Sequence, residues 1–330
     1  MITRPVRIAS SCALAVTLAV TAVAPAIADA APHSTAVVKK VKRGVNRVDL
    51  KVRSAAMKET VPVTVLSPSG EPGARGTLYM LDGADAGKDV SDWITKGGAA
   101  GFFAGRDVNV VLPAGGAGSF YTNWIRKDPK LGKPQWETFL TEELPPIIAK
   151  EFGTNGRSAV MGLSMGGQSA FTLATRHPDL YQGVASLSGC PPVSGPANEA
   201  YVRTTVAKSG GDASNMWGNP GTKRWRDHDP SLRLDTLKGK AIYLSAGSGA
   251  VGPQDLTVKR DPKDGPEDAQ IAAGSALEAG AYRCSLEFAA EMSTAGVRYT
   301  PGFRLIGTHS WTYWKNDLPN AWNVLAPVLY

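Results

Sequence analysis

One serine of the chain lies in a sequence context that would make it a nucleophile. Residues 162–166 read Gly-Leu-Ser-Met-Gly, a G-x-S-x-G motif between a short apolar run at 159–161 and a segment of helical composition at 168–176. Small residues on either side of the serine permit a tight strand-to-helix turn, which exposes the hydroxyl at the positive end of the helix dipole. The motif therefore predicts acyl chemistry through Ser164.

A serine nucleophile needs a general base, and the chain has four histidines. His33 lies in the polar N-terminal segment, and His228 has the sequence context of a surface turn. His177 ends the predicted helix, about 18 Å from the serine and beyond its reach. His309 follows the last apolar run, 303–306, where a doubly wound hydrolase places its base. The sequence therefore predicts His309 as the base.

The third member of such a triad is a carboxylate that orients the histidine and stabilises its charged form. In this fold the acid lies between the serine and the histidine along the chain, so the candidates are Asp255, Glu278, Glu287 and Glu291. Asp255 lies in the loop after the apolar run 241–245, which is the usual position of the acid. On topology alone, Asp255 and Glu278 are equally good candidates.

Two hydrophobic patterns predict the elements that hold these residues. Apolar and polar residues alternate at 48–52 and again at 61–65, which predicts an antiparallel pair of strands. Continuous apolar runs predict further strands at 77–81, 108–112, 159–161, 183–187, 241–245 and 303–306. Segments long enough for helices, such as 136–151 and 168–176, lie between these runs. The alternation predicts an α/β fold with a mostly parallel central sheet and helices on both faces.

Two stretches lack a regular hydrophobic pattern. Residues 31–46 are polar and basic, and we expect an irregular lead-in there. Residues 247–270 are rich in Gly, Pro and Asp, which predicts a long surface loop within one domain. Neither a repeat nor a linker interrupts residues 31–330, which we expect to form a single catalytic domain.

The N-terminus has the pattern of a targeting signal. Arg4 and Arg7 precede an apolar, Ala- and Val-rich stretch at 8–24, and small residues follow it. This order is typical of a secretory signal peptide, with cleavage expected after Ala30. The alternative is an uncleaved membrane anchor, for which the apolar stretch is near the lower limit of length. We expect a protein that is exported to the exterior or the cell envelope.

Composition narrows the choice of partners. The formal net charge is +7, and the basic residues are dispersed except for a dense run at 39–43. A dispersed excess of this kind does not specify nucleic acid, and no nucleic-acid-binding motif accompanies it. No motif indicates a cofactor or a metal. Two cysteines, Cys190 and Cys284, remain after the signal, and an oxidising compartment favours their pairing.

Short motifs through the chain carry a further signal. They lie in order at 81–83, 112–116, 119–121, 136–140, 143–145, 162–165, 216–218, 229–230, 307–311 and 313–314. The most specific is Gly307-Thr308-His309-Ser310-Trp311, followed by Tyr313-Trp314. With these motifs the chain resembles the antigen 85 mycolyltransferases, a family with the α/β-hydrolase fold. The resemblance covers nearly all of residues 31–330.

The resemblance implies roles for residues that the triad logic leaves open. In that family the acid is a glutamate in a Leu-Glu pair on a helix, with Leu-x-Phe following. Here Leu277-Glu278 is followed by residues 286–288, Leu-Glu-Phe, which implies Glu278 as the acid. The residue after the nucleophile, Met165, should donate one backbone N–H to the oxyanion. The resemblance implies Ala84 as the second donor.

The resemblance also implies the substrates. Mycolyltransferases move a mycolyl chain from a trehalose mycolate donor to a carbohydrate acceptor, here trehalose or arabinan, at the cell envelope. The family pattern implies sugar contacts by Asp82, Ser310 and Trp311. This chain departs from the pattern at Asp85, where the family has an arginine, and at 127–134, where the family's cysteine pair is absent.

Two other functions fit parts of the sequence. A secreted serine carboxylesterase would use the same triad with water as the acceptor, because a triad does not choose its acceptor. A non-catalytic surface-binding protein would tolerate loss of the triad, whereas this chain retains a serine, an acid and a histidine in the expected order.

Overall fold

The computed structural model describes residues 1–2, 34–68 and 72–330. Contacts between Cα atoms divide the chain into Met1–Pro32 and His33–Tyr330, and every element described here belongs to the second unit. The predicted signal peptide therefore lies almost entirely outside the described residues. None of the described helices has both the length and the apolar character that a membrane crossing requires.

The described residues form one nine-stranded sheet. The strands in chain order are β1 (Ala36–Arg43), β2 (Arg47–Ser54), β3 (Glu59–Leu66), β4 (Thr77–Leu81), β5 (Asn109–Pro113), β6 (Ser158–Leu163), β7 (Gly183–Leu187), β8 (Ala241–Gly247) and β9 (Thr300–Arg304). Their spatial order is β1-β2-β3-β5-β4-β6-β7-β8-β9. The pairs β1–β2, β2–β3 and β3–β5 are antiparallel, and all the others are parallel. The predicted fold class is confirmed.

Ten α-helical segments are described in residues 34–68 and 72–330. They are α1 (Asp92–Thr95), α2 (Ala99–Phe102), α3 (Trp136–Thr138), α4 (Leu144–Phe152), α5 (Met165–Arg176), α6 (Pro196–Lys208), α7 (Ala213–Trp217), α8 (Lys223–Asp227), α9 (Glu267–Thr294) and α10 (Trp311–Leu325). A π-helical turn, Phe139–Glu143, joins α3 to α4. Short 3-10 segments lie at Pro230–Leu237, Pro253–Leu256, Pro262–Asp264 and Ala326–Val328.

Both faces of the sheet are buried under helices. Along β4, Tyr79 and Leu81 point into a core shared with α4, α5 and α9, whereas Leu78 and Met80 point into a core shared with α1, α2 and α10. Successive side chains of a strand face opposite sides, so a strand with no polar face needs helices on both. The continuous apolar runs of the sequence reflect this double burial.

The structure differs from three expectations for the secondary structure. Residues 36–43 of the predicted lead-in form the edge strand β1, where the exposed Lys39, Lys40 and Lys42 interrupt the apolar pattern that marks a strand. Lysine on an edge strand is a recognised way to prevent pairing with other chains. The predicted strand at 303–306 begins earlier, at Thr300, and ends at Arg304. The predicted loop 247–270 contains two 3-10 turns, and α9 begins before its end, at Glu267.

Candidate active site

Ser164 lies at the turn between β6 and α5, with φ +51° and ψ −126°. A positive φ is uncommon for a residue with a Cβ and marks a backbone held in place by its surroundings. A Cβ on Gly162 would collide with the backbone of Gly166, and one on Gly166 would collide with the carbonyl oxygen of Asp82. The two motif glycines therefore permit the close packing that holds Ser164 in this conformation.

His309 approaches Ser164 from the loop between β9 and α10. Its Nε2 lies 2.8 Å from Ser164 Oγ, so the ring nitrogen and the hydroxyl share a hydrogen bond. The His309 backbone N–H donates to the Gly274 carbonyl at 3.0 Å, and the edge of the ring packs against Trp314 at a centroid distance of 4.9 Å. Backbone and ring contacts thus both fix the imidazole.

Glu278 completes the hydrogen-bonded chain from α9. Its Oε2 lies 2.7 Å from His309 Nδ1, and the side chain is fully buried. Its other oxygen, Oε1, accepts from the Ser188 hydroxyl at 2.7 Å and from the Gly247 backbone N–H at 2.6 Å. A buried carboxylate with three donors is held in one orientation, which in turn orients the imidazole.

Asp255, the alternative acid, lies in a separate buried group. Its carboxylate accepts hydrogen bonds from Thr308 Oγ1 at 2.5 Å, from Tyr313 Oη at 2.7 Å and from the Gly252 N–H at 2.9 Å. It makes no hydrogen bond to His309 within the described residues. Asp255 therefore supports the loop that carries His309, while Glu278 contacts the imidazole itself.

The loop after β4 lies directly against the nucleophile. A Cβ built on Gly83 would be 3.4 Å from Ser164 Cβ, so the neighbouring Ala84 is close to the serine. Within the described residues, the Ala84 N–H donates to no backbone or side-chain acceptor. Met165 begins α5, where backbone N–H groups have no acceptor inside the helix. The structure thus places both predicted oxyanion donors beside Ser164.

The side chain of Asp82, an expected sugar contact, is enclosed by neighbouring residues. Its side chain is fully buried, and it accepts hydrogen bonds from Ser91 Oγ at 3.0 Å and from the backbone N–H groups of Asp92 and Trp93 at 3.1 and 3.3 Å. Burial raises the pKa of its carboxyl to about 7. A carboxylate enclosed in this way braces the loop of Ala84, and a sugar-binding role for Asp82 stays a prediction.

The other two expected sugar contacts are partly accessible. Ser310 and Trp311 are half-buried at the start of α10, directly after His309. The Trp311 ring packs edge-on against Trp93 and Trp314 at 5.3 and 5.4 Å. Asp85 is exposed and forms an ion pair with Lys208 of α6 at 2.8 Å. The position at which the family has an arginine is thus occupied by a paired carboxylate.

The chain matches a known family over most of its length. The family described as "Putative esterase" matches residues 54–324. The diacylglycerol acyltransferase/mycolyltransferase Ag85A of Mycobacterium ulcerans is 33% identical over 290 residues, which is 85% of this chain and 80% of that protein. The chain belongs to the antigen 85 family. Membership supports an enzyme of the acyltransferase or esterase type.

Two further proteins are similar to this chain, one in sequence and structure and the other in fold alone. The MPT51/MPB51 antigen of Mycobacterium tuberculosis is 40% identical over 191 residues, which cover 57% of this chain and only 61% of that protein. The crystal structure of Mycobacterium tuberculosis MPT51 superposes with a TM-score of 0.70 at 30% identity, covering 84% of this chain and 97% of that one. An S-formylglutathione hydrolase from Agrobacterium tumefaciens superposes with a TM-score of 0.60 at 16% identity, over 89% of this chain and 99% of that one, and shares the fold alone.

The remaining described histidines lie away from the nucleophile of this antigen 85 family member. His177 Nε2 lies 2.8 Å from Glu137 Oε1, and Arg176 Nε lies 2.7 Å from the same oxygen. His228 is buried and stacks on Trp217 at 4.7 Å, so the prediction of a surface turn there is wrong. Its carboxylate neighbours in the sequence suggested exposure, whereas its ring fills the core.

The pKa values of His228 and Glu137 are both lowered in the fold. Burial lowers the pKa of His228 to about 4. Burial opposes ionisation of Glu137, but its hydrogen bond to His177 and the charge of Arg176 outweigh that effect and lower its pKa to about 2. Both groups therefore favour the folded state most strongly near neutral pH.

A disulfide joins Cys190 to Cys284, with Cα atoms 5.4 Å apart. Cys190 follows β7, and Cys284 lies on α9 six residues after Glu278. The adjacent Ser285 donates to the Gly189 carbonyl at 2.7 Å. These two links fasten the helix that carries Glu278 to the loop that follows β7.

Three polar side chains near the triad escaped the sequence reasoning. Ser188 donates to Glu278 and accepts from Trp314 Nε1 at 2.9 Å, and its φ of +54° resembles that of Ser164. The Tyr201 hydroxyl, on α6, lies close to Ser164, and burial raises its pKa. Arg304 lies near Glu278. No local motif marks any of them, because each reaches the site through tertiary packing. Within the described residues, no cluster of His, Cys, Asp or Glu is arranged to hold a metal ion.

Proposed function

We propose that the protein is an exported mycolyltransferase, an acyltransferase that moves a mycolyl chain from a trehalose mycolate donor to a carbohydrate acceptor through a seryl acyl-enzyme. The observation that carries the proposal is the continuous hydrogen-bonded chain from Ser164 through His309 to Glu278, with contacts of 2.8 and 2.7 Å. Distances of this length allow proton transfer without rearrangement. The family relationship supports the choice of acyl transfer.

In the first step, Ser164 Oγ attacks the ester carbonyl of the donor while its proton passes to His309 Nε2. The negative charge on the tetrahedral intermediate is stabilised by the N–H groups of Met165 and Ala84. Glu278 stabilises the imidazolium through Nδ1. The intermediate collapses when the ester C–O bond breaks and His309 returns the proton to the departing sugar oxygen, which leaves an acyl-enzyme on Ser164.

In the second step, an acceptor hydroxyl gives its proton to His309 and attacks the acyl-enzyme carbonyl. The tetrahedral intermediate then releases Ser164, which regains its proton from His309. For the acceptor we propose trehalose or arabinan, contacted by the Ser310 hydroxyl and the Trp311 ring, since both side chains are half-buried beside His309. An aromatic face next to a hydroxyl suits a sugar, which has both apolar and polar surfaces. The proposed site of action is the cell envelope, with peripheral association.

Hydrolysis is the second candidate, and two observations favour it. Asp82 is enclosed by hydrogen bonds, and Asp85 stands paired with Lys208 where the family has an arginine. Both of these positions, at which the family pattern implies a sugar contact, therefore carry a carboxylate that is already paired. A secreted serine carboxylesterase would use the same triad and admit water in place of the acceptor.

The deciding experiment follows both products of one reaction. Purified protein is incubated with trehalose monomycolate, and trehalose dimycolate and free mycolic acid are measured together. Mostly dimycolate supports transfer to trehalose, whereas mostly free acid in the presence of trehalose and arabinan fragments supports the esterase. Formation of mycolyl-arabinan alone would identify arabinan as the acceptor.

The role of Ser164 has its own test. Ser164→Ala should lower turnover by about 10⁴-fold or more, since the loss of one triad member has an effect of that size. Wild type should also react with a fluorophosphonate probe, and the variant should not. A protein that binds ligands without catalysis would show neither turnover nor labelling.

A further inference from the structure

Arg304, at the end of β9, has an arrangement that fold stability alone does not explain. Its Nε and Nη2 atoms are buried and make no hydrogen bond to any described residue. Leaving a buried donor unpaired destabilises the folded protein, and an arginine cannot avoid that cost by losing its proton. A residue kept at such a cost is a candidate for a function that depends on its charge.

The guanidinium lies between two buried carboxylates. Nη1 donates to Asp317 Oδ2 at 2.9 Å, and Nη2 lies 3.9 Å from Glu278 Oε1. Asp317 is itself fixed, since it accepts from the hydroxyls of Tyr243 and Ser245, each at 2.5 Å. Asp317, which lies on α10, therefore holds one side of the guanidinium, and Nη2 on the other side faces Glu278.

Few ionisable groups lie near Glu278 among the described residues. His309 faces it from the loop before α10, Arg304 faces it from β9, and the Tyr201 hydroxyl of α6 interacts with it electrostatically. Within the part of the chain that the structure describes, Arg304 has the one lysine or arginine nitrogen within 4.0 Å of this carboxylate. Ser188 and Gly247, its other neighbours, donate hydrogen bonds but carry no charge.

Two carboxylates and an aromatic ring face Arg304. Asp317 and Glu278 are the anions, and the Tyr313 ring lies 5.8 Å from the guanidinium carbon. The Tyr243 hydroxyl donates to Asp317, and its ring is close enough to Arg304 to interact with it electrostatically. A change at Arg304 or Asp317 therefore alters the charge next to Glu278 without touching Ser164 or His309.

We infer that Arg304 is a positioning residue for the proposed reaction: its fixed positive charge stabilises the Glu278 carboxylate opposite His309. The inference rests on the proposed function, because Glu278 acts only if the triad does. Removing the positive charge should make the coupled Glu278–His309 pair bind protons more tightly. The acid limb of the activity profile, below which His309 is protonated and inactive as a base, should then move to higher pH. Removing the negative charge of Asp317 should move that limb to lower pH.

The test compares four variants with wild type in one assay, the fourth being Arg304→Lys. kcat/KM for p-nitrophenyl butyrate is measured from pH 4 to 9 for wild type, Arg304→Met, Asp317→Asn and the control Arg283→Gln. Arg283 is an exposed arginine on α9, five residues from Glu278, and pairs with Glu287 at 2.9 Å. We expect Arg304→Met to raise the acid midpoint by about half a pH unit or more and Asp317→Asn to lower it, since a neighbouring buried charge shifts ionisation by that order. Arg283→Gln should leave it unchanged, and Arg304→Lys should restore most of the wild-type position.

A merely structural role predicts a different result. In that case Arg304→Met would lower the amount of folded protein or its melting temperature and leave the acid midpoint in place, which would overturn the inference. Equal shifts in the same direction for Arg304→Met and Asp317→Asn would also overturn it. If Arg304→Met does not fold, the other two variants decide the question. A lower acid midpoint in Asp317→Asn together with a near wild-type midpoint in Arg304→Lys supports the inference, and an unchanged midpoint in Asp317→Asn overturns it.

A second readout separates this inference from the proposed function. The His309 ring is titrated by NMR in a Ser164→Ala background, where no turnover is needed. A higher titration midpoint in the Arg304→Met double variant supports the electrostatic coupling even if the enzyme transfers no mycolate. An unchanged midpoint contradicts the coupling even if wild type is active, whereas an inactive and unlabelled wild type contradicts only the proposed function.

Discussion

Replacing Glu278 by glutamine tests the acid of the triad with almost no change in shape. The two oxygens of Glu278 face different partners: Oε2 faces His309 Nδ1, and Oε1 accepts from Gly247 N–H and the Ser188 hydroxyl. Gly247 contributes a backbone N–H, which can only donate, so the atom that takes the place of Oε1 must be an acceptor. The amide oxygen of glutamine must therefore take the place of Oε1, and the amide NH₂ must face His309.

This orientation places the histidine proton on the wrong nitrogen. A donor opposite Nδ1 makes Nδ1 an acceptor, so the neutral ring carries its proton on Nε2 and cannot take one from Ser164. Turning the amide restores the Nδ1 proton but sets NH₂ against the Gly247 N–H, at about 1–3 kcal/mol for that unpaired donor. The loss of the charged partner of the imidazolium adds about 1.5–3 kcal/mol. At 1.36 kcal/mol per tenfold in rate, the sum corresponds to a loss of roughly 10²–10⁴-fold.

The assay is the kcat/KM of Glu278→Gln for p-nitrophenyl butyrate, with thermal unfolding to show that the fold is retained. The matched control is Asp255→Asn, which changes the other candidate acid in the same way. Because Asp255 contacts Thr308, Tyr313 and Gly252 and not the imidazole, its variant should keep activity within about tenfold of wild type while unfolding more easily.

The reasoning would be refuted by the reverse pattern. If Glu278→Gln kept more than a tenth of wild-type kcat/KM and Asp255→Asn lost two orders of magnitude or more, Asp255 would be the acid, and the hydrogen bonds of Glu278 would be structural. A folded Glu278→Gln with full activity would show that the Ser164–His309 pair works without the charge of Glu278.

Three further predictions follow from single contacts. Gly166→Ala should lower kcat by about 10²–10³-fold with little change in KM, because the new Cβ would push the loop of Asp82 and its oxyanion donor out of place. Cys190→Ser with Cys284→Ser should lower the free energy of unfolding in urea by about 3–5 kcal/mol, because the bridge closes a loop with a sequence separation of 94. The pKa of His228 is about 4 in the fold against 6.5 for the free side chain. The unfolded chain therefore binds the extra proton between these pH values, so stability should fall by up to about 3 kcal/mol as the pH drops from 6.5 to 4. His228→Phe should remove that part of the pH dependence.

Each of these predictions has a contrary outcome. An unchanged kcat in Gly166→Ala would show that the loop of Asp82 does not supply an oxyanion donor. Equal urea midpoints for wild type and the double serine variant would show that the bridge does not constrain the unfolded chain. Parallel stability curves for wild type and His228→Phe between pH 6.5 and 4, measured by urea unfolding, would assign the acid sensitivity to other groups, with Glu137 contributing only below pH 4.5.

Much of the fold could be predicted because its signals are local. The apolar runs that mark the parallel strands are continuous, since both faces of each strand are buried. The edge strand β1 was not predicted because its lysines are exposed and because it pairs with a single strand, β2. Burial of His228 and Asp82 could not be predicted either, because each lies in a space enclosed by segments far apart in the sequence.

The sequence by itself identified Ser164 and His309 as the nucleophile and base of the proposed triad. The turn at Ser164 needs particular residues within five positions, and His309 follows from the scarcity of histidines and the chain order of the fold. Tertiary structure decided what a one-dimensional pattern cannot contain. Asp255 and Glu278 satisfy the same order along the chain, and only the packing of α9 against β8 brings Glu278, rather than Asp255, within 2.7 Å of the imidazole. The reason is physical: covalent neighbours set the backbone of a turn, whereas hydrogen bonds between distant segments form only when the core has brought them together.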